Sequence, residues 1–536
     1  MDRTPTHYAL GTDAPGRRAL KLLEARFRAR RQPYPPLRTM WLDTFDWRLY
    51  DHGASLAWKE GAGQCSLVWR DASGIVRHGH AAQRPPLFAE ELPAGPLRDR
   101  AANVIGVRRL FAVVRAETSG ETLRLLDGNN RTILRIDLER IEALHPSHAR
   151  RHPLLPRLRL TPSAGSGAVI AEVRQILETG LGLKRDTTTV MQAAMEAAGI
   201  RAAARPGKAR ASIAPRMRAA DAARRIQRSL LRTLRLNERG TREALDPEFL
   251  HDYRVAVRRI RTCLAQLRGV FPGRTVARFR RDFRWLGELT NPARDMDVFR
   301  IALAGDARLL PAPHRRDIDP LIAFVQARQQ AEQKKLTAGL RSERYLRLLR
   351  DWREFLKAKP AGAGALVPDA SRPILAVASE RIGKRFAKVI RKGEALKRGS
   401  PDLKFHRLRV ECKRLRYLLE FFHDLYDAKD VESFIAPLKK LQDTLGEFND
   451  ARIQRDALRP FAKDLARTDG APVECLIAIG RLEERLQQRQ DKLRKRFRKR
   501  FAEFAAARNR DRLESMLAAP VEKTPRARPR AAVRTA

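Results

Sequence analysis

An α+β chain of several domains is predicted, with a β-rich N-terminal part followed by an all-α part. Short alternating runs parted by turn dipeptides fill the first 200 residues, whereas Leu, Ala, Arg, Gln and Glu at helical spacing fill most of the rest. A helical pattern also occurs twice, which points to an internal duplication.

In chain order, Gly16–Arg31 has helical spacing. Runs at Arg38–Asp43, Ser55–Lys59, Cys65–Arg70, Phe111–Glu117, Glu121–Leu126 and Thr132–Leu138 read as strands between Asp-Gly, Ser-Gly and Gly-Asn turns, and Gly167–Gly182 reads as helix again. Regular strand spacing suits an antiparallel sheet or barrel over 1–200. Residues 201–215 are small, proline-containing and basic, as a linker would be, and a second break of this kind spans 360–373. Helical bundles are expected at 216–359 and 374–515. Residues 516–536, rich in proline and bases, are expected to be a disordered basic tail.

Charge is the dominant compositional fact. The 536 residues hold 109 Lys plus Arg against 62 Asp plus Glu, a net charge of +47, of which +38 lies beyond residue 200. Four cysteines lie far apart with no C-x-x-C pair, so neither a disulfide framework nor a zinc ribbon is indicated, and a reducing compartment is expected. Met1-Asp2-Arg3-Thr4 opens no stretch of signal-peptide length and no run approaches the ~18 apolar residues of a membrane span. The expectation is a soluble, cytoplasmic protein that meets something acidic.

The duplication locates that encounter. His251-x-x-Arg254-x-x-x-Arg258-Arg259-x-Arg261 matches His406-x-x-Arg409-x-x-x-Lys413-Arg414-x-Arg416 at an offset of 155. Upstream, Arg225, Arg228, Arg232 and Arg235 match Arg381, Lys384, Lys388 and Arg391. Downstream, Arg280-Arg281 before Leu286-Gly287-Glu288 matches Lys439-Lys440 before Leu445-Gly446-Glu447. At 100° per residue, His251, Arg254, Arg258 and Arg261 fall within about 80° of one another, opposite an apolar face of Tyr253, Val257, Ile260 and Leu264. Four helices are thus expected to carry basic stripes free of acid. Charges ~8 Å apart repel by roughly 0.5 kcal/mol even in water, so a converging dozen needs an anion to offset it. His251 and His406 are expected to donate hydrogen bonds to that anion. No carboxylate or cysteine accompanies them at metal-ligand spacing.

These residues resemble the CHAD family, the conserved histidine α-helical domain, over roughly 210–515; Phe448-Asn449-Asp450 and Arg294-Asp295-x-Asp297 add to the match. The resemblance implies two four-helix bundles related by a pseudo-twofold axis, with a basic groove that binds inorganic polyphosphate. The stripe residues, with Arg259, Arg280, Arg281, Arg414, Lys439 and Lys440, would line it. Trp41-Leu-Asp43-Thr44-Phe-Asp46 through Leu56-Ala-Trp-Lys59 resembles the CYTH, or triphosphate tunnel, family. That family uses an E-x-E-x-K strand to hold a divalent metal. Here the corresponding strand reads Thr6-His7-Tyr8-Ala9-Leu10-Gly11, and Arg157-Leu-Arg159 stands where acids would be expected. Lys59, Arg70, Arg115 and Arg135 are candidate phosphate contacts, and no catalytic residue, metal or cofactor is assigned.

The expected function is therefore non-catalytic polyphosphate binding, a property that would suit targeting to polyphosphate granules. Two alternatives compete. The first is phosphate-only binding of nucleic acid, supported by the charge, the tail and Lys492–Arg500. The second is residual triphosphatase chemistry in the N-terminal domain. Aromatics are only 6%, fewer than a single-strand binder would interleave with its bases. Oligomeric state is open.

Overall fold

The computed structural model describes residues 5–72, 76–80, 83–163, 167–202, 211–307, 310–358, 367–397, 399–468 and 471–518. Residues 519–536 of the expected tail and 203–210 of the expected linker lie outside these residues, whereas 516–518, also expected as tail, belong to a helix that buries Met516. The chain divides into two compact units, Met1–Pro206 and Gly207–Ala536.

The first unit is a nine-stranded antiparallel sheet with short helices. Its strands are β1 (Thr6–Ala9), β2 (Ala29–Thr44), β3 (Ser55–Gly61), β4 (Gln64–Arg70), β5 (Val76–His80), β6 (Leu110–Leu126), β7 (Thr132–Leu144), β8 (Arg151–Pro153) and β9 (Arg157–Pro162). They run in the order β1-β9-β7-β6-β2-β3-β4-β5, with β8 beside β7. Two expected strands, 111–117 and 121–126, are one: β6 continues through Gly120, where any Cβ would overlap the Leu138 carbonyl across the ladder. The expected first helix is shorter, because α1 (Asp13–Arg26) gives way to strand at Ala29, and the pairing with β6 carries the proline-rich segment that follows. Helices α2 (Arg48–Asp51), α3 (Pro96–Ile105), α4 (Gly167–Gln175) and α5 (Val190–Ala197) complete the unit. The Asp43-Thr44-Phe-Asp46 motif is structural. Buried Asp43 accepts the backbone N–H groups of Thr44, Leu49 and Tyr50, and Asp46 accepts from Thr44 Oγ1 and Arg48 Nε.

The second unit is all-helical. Its first half holds α6 (Ala219–Arg242), α7 (Pro247–Gln266), α8 (Gly273–Asp306), α9 (Asp319–Arg341) and the shorter α10 (Glu343–Lys357). Its second half holds α11 (Ile374–Glu394), α12 (Asp402–Phe421), α13 (Ala428–Thr468), α14 (Val473–Ala505) and the shorter α15 (Ala507–Ala518). Among the described residues each half is thus four long helices with a fifth short one, where the resemblance implied four. Small residues let the helices close: a Cβ on Gly240 of α6 would overlap the Phe249 ring of α7, and one on Gly393 of α11 the Phe501 ring of α14.

Two cores tie the halves together. The larger runs from Ile226, Tyr253 and Trp352 in the first half to Leu408, Phe434 and Phe504 in the second. The smaller joins Phe299, Leu303 and Val325 to Phe461, Ile479 and Leu486. At an order of 25 cal/mol per Å² of apolar surface removed from water, such shared cores hold the halves as one body. The segment before α11, expected as linker, packs where it is described: Val367 and Ala370 are buried, and Asp369 pairs with Arg372 and Arg381. No helix among the described residues is long and apolar enough to cross a membrane.

Candidate functional site

Helices α7 and α12 carry the matched His-x-x-Arg patterns. Asp246 sets the start of α7: its side chain accepts from Glu248 N and Phe249 N, with Pro247 in the first turn. Helix α12 has no such side-chain cap; Asp402 in its first turn pairs with Arg494 and accepts from Gln490 Nε2 at 2.7 Å, which ties α12 to α14. Tyr253, Val257, Ile260 and Leu264 are buried, as the wheel predicts, and so are Leu408, Cys412 and Leu415.

The opposite faces converge. Burial, then the charges of Arg258 and Arg409, lower the Lys413 pKa from its ordinary value to about 7. Burial and Arg294 lower His251 to about 4, and Arg258 and Lys413 contribute. Burial lowers Arg254 to about 10, against the pull of Asp295, with Arg258 and Arg294 adding repulsion. Arg409 and Arg261 are lowered in the same way, each feeling Arg258. Arg258 is therefore the hub, and Lys413 is its matched residue in the other half. Among the described residues neither has an ion pair or side-chain hydrogen bond, and the buried Nε atoms of Arg258 and Arg409 lack an acceptor. The flanks repeat. Arg254 donates to Asn291 Oδ1 at 2.6 Å, and Arg409 lies 3.9 Å from Asp450, the residue that matches Asn291.

The two histidines differ. Arg294 Nη2 donates to His251 Nδ1 at 3.1 Å, which puts the proton of this neutral imidazole on Nε2. His406 Nδ1 donates to Asn449 Oδ1 at 2.8 Å. Only His251 in its neutral form offers an Nε2–H to a ligand.

The outer stripes do not join this set. Arg225 donates to the Ser212 carbonyl and Arg228 to that of Leu356, near the end of α10, where helix carbonyls lack partners. Arg235 pairs with Glu238 at 2.8 Å, Arg381 with Asp369 at 2.7 Å and Lys384 with Glu380 at 2.6 Å. Lys388 and Arg414 share buried Glu411 with Arg385 and Lys392. Burial opposes ionisation of Glu411, yet Arg385, Arg414 and Lys388 outweigh it and hold the carboxyl below its ordinary range. Arg232 and Arg391 are exposed. Arg259 is a tie between the halves, 3.0 Å from Glu420 and over the rings of Tyr417 and Phe421. Glu420 also accepts from Arg416 at 2.7 Å. The expected acid-free lining of four stripes is thus two stripes, with Glu411, Glu420 and Asp450 inside the second half. Arg280 is half-buried, and Arg281, Lys439 and Lys440 are exposed. Two cations had not been expected at the site. Arg284, one turn beyond Arg280, acts on Arg261, and Arg294 holds His251; the spacing of four from Arg280 was the available signal.

In the first unit, strand alternation puts His7, Tyr34, Lys59, Arg70, Arg135, Asp137, Glu139 and Arg159 on one face of the sheet. Arg115 lies on the other. Two acids therefore face the interior, although the strand expected to carry them has none. Both are already engaged: Arg159 lies 2.8 Å from Asp137 and 3.1 Å from Glu139, and Arg135 lies 2.8 Å from Asp137. Burial raises Glu139 and lowers Lys59, and burial with Arg157 and Arg159 lowers His7 to about 4. The CYTH resemblance implies a divalent metal. Among the described residues no three or more His, Cys, Asp or Glu are placed to hold one, so these residues do not fit it.

Residues 225–459 match the family model described as the CHAD domain. Among solved structures, the CHAD domain of the plant Ricinus communis is 25% identical, with a TM-score of 0.42 over 58% of this chain and 98% of that one. PptA from Streptomyces chartreusis is 16% identical, with a TM-score of 0.41 over 53% and 99%. HpAC1 from Hippeastrum, described as having a dominant triphosphatase activity, is 11% identical, with a TM-score of 0.26 over 37% and 96%. A comparison with curated proteins finds no match. The match to the CHAD family model falls within the helical unit, which follows the nine-stranded antiparallel sheet in the chain.

Proposed function

We propose that the helical unit binds inorganic polyphosphate in the groove between α7 and α12, without chemistry on it. The observation that carries this is Arg258 and Lys413, matched residues of the two halves, half-buried among Arg254, Arg261 and Arg409 and without a carboxylate partner of their own. Keeping these charges together costs several kcal/mol, which a chain of phosphate oxygens offsets by accepting charge-assisted hydrogen bonds. The neutral His251 adds a directed N–H. Tyr417 and Phe421 support this occupant over a single-stranded nucleic acid, because Arg259 covers both rings and leaves no stacking platform there. A protein with such a groove would be held on polyphosphate deposits in the cytoplasm.

The test is a titration with long-chain polyphosphate, single-stranded DNA and duplex DNA at equal phosphate and several salt concentrations. Polyphosphate should bind most tightly at every salt concentration, and a preference for either DNA overturns the proposal.

A further inference from the structure

The groove is built by duplication, yet its two ends differ. Arg261 reaches α8, where its Nη1 lies 2.9 Å from the position that a Cβ on Gly287 would take, about one turn beyond Arg284 and two beyond Arg280. At the matched end, Arg416 is held by Glu420 at 2.7 Å and by Gln442 Oε1 at 3.4 Å. The position of Glu420 is Ala265 in the first half, and that of Asp443 is Arg284. A cation has thus replaced an acid at one position, and an acid has been added at the other. Glu288 is the acid that acts on Arg261, and its match Glu447 lies 3.8 Å from Arg489. The other flanks are closer to balanced, with Asp295 near Arg254 and Asp450 near Arg409.

We infer that the groove has one gripping end and one screened end: Arg261, Arg280 and Arg284 of the first half seat the phosphate chain, while Arg416, Lys439 and Lys440 contribute little. This rests on the polyphosphate reading above and adds Arg284 to the binding residues. Two phosphates spanning the gripping end meet three guanidiniums whose forks accept bidentate geometry. At the screened end Glu420, which also pairs with Arg259, already engages the Arg416 guanidinium and draws it away from an arriving anion.

Two variants that each remove two exposed or half-exposed charges separate site from diffuse charge. Arg280→Gln with Arg284→Gln should weaken long-chain polyphosphate binding by about tenfold or more, and Lys439→Gln with Lys440→Gln by about twofold. Asp443→Arg, which rebuilds the gripping pattern at the screened end, should tighten binding several-fold. Equal losses from the two double variants, or no gain from Asp443→Arg, with wild-type binding intact, overturn the asymmetry alone. Absence of polyphosphate binding in the wild-type chain overturns the underlying reading and the asymmetry with it.

Discussion

Lys413→Met tests the electrostatic state of the groove directly. The lysine pKa falls from 10.5 to about 7, and each unit is worth ~1.4 kcal/mol. Below pH 7 both the folded and the unfolded chain hold this lysine charged, and the folded state bears a penalty of about 4–5 kcal/mol at most. At about pH 9 the folded lysine is neutral and the penalty falls to about 2 kcal/mol. Between about pH 7 and 10.5 the unfolded chain binds more protons, so wild-type stability rises with pH in that window. Methionine keeps the length of the side chain and removes the charge. The variant should therefore be more stable than wild type in urea unfolding followed by helix dichroism, by about 2 kcal/mol or more near pH 6 and by less near pH 9. It should also bind polyphosphate more weakly. A loss of stability near pH 6, or a gain that does not depend on pH, refutes the reasoning that Lys413 is an uncompensated cation.

Three further outcomes are expected. Glu411→Gln leaves Arg385, Lys388, Lys392 and Arg414 without their shared buried acid, and should cost about 3–5 kcal/mol in urea unfolding while leaving polyphosphate affinity within about twofold. Arg159→Ala takes away the ion-pair partner of buried Glu139 and leaves Asp137 with Arg135; the first unit, followed by its strand dichroism, should lose about 3–5 kcal/mol, and unchanged stability would show that the Glu139 carboxylate is solvated. His251, lowered to about 4, stays neutral in the folded state, whereas the unfolded chain takes up its proton near the ordinary value. Stability should fall as pH drops from about 6.5 toward 4, and His251→Gln should remove that contribution.

Much of this was legible because the chain writes one pattern twice. The His-x-x-Arg registers placed Arg258 and Lys413 on the polar faces of two helices, and the apolar residues behind them are the ones that are buried. Where a cation finds its partner is not a matter of register. Arg228 reaches a carbonyl 128 residues away, and Glu411, one acid in a basic run, gathers three cations of α11 by packing against that helix. Those are tertiary facts that helical spacing cannot encode. The same holds in the first unit. Asp137 and Glu139 alternate with buried Ile136 and Leu138 as any half-buried strand would, and only the pairing of β7 with β9 brings Arg159 to them. Ser119-Gly120 has the composition of a turn, yet the missing Cβ of Gly120 serves continuous pairing of β6 with β7.

The most direct measurement compares two charge reversals of equal size. Arg258→Glu with Lys413→Glu changes the hub of the groove, and Arg526→Glu with Arg528→Glu changes the basic C-terminal segment by the same amount. Affinity for long-chain polyphosphate at fixed salt should fall about a hundredfold or more for the first pair, from two lost charge-assisted contacts and new repulsion, and only a few-fold for the second. Equal losses would show that diffuse charge, and no groove, holds the phosphate chain.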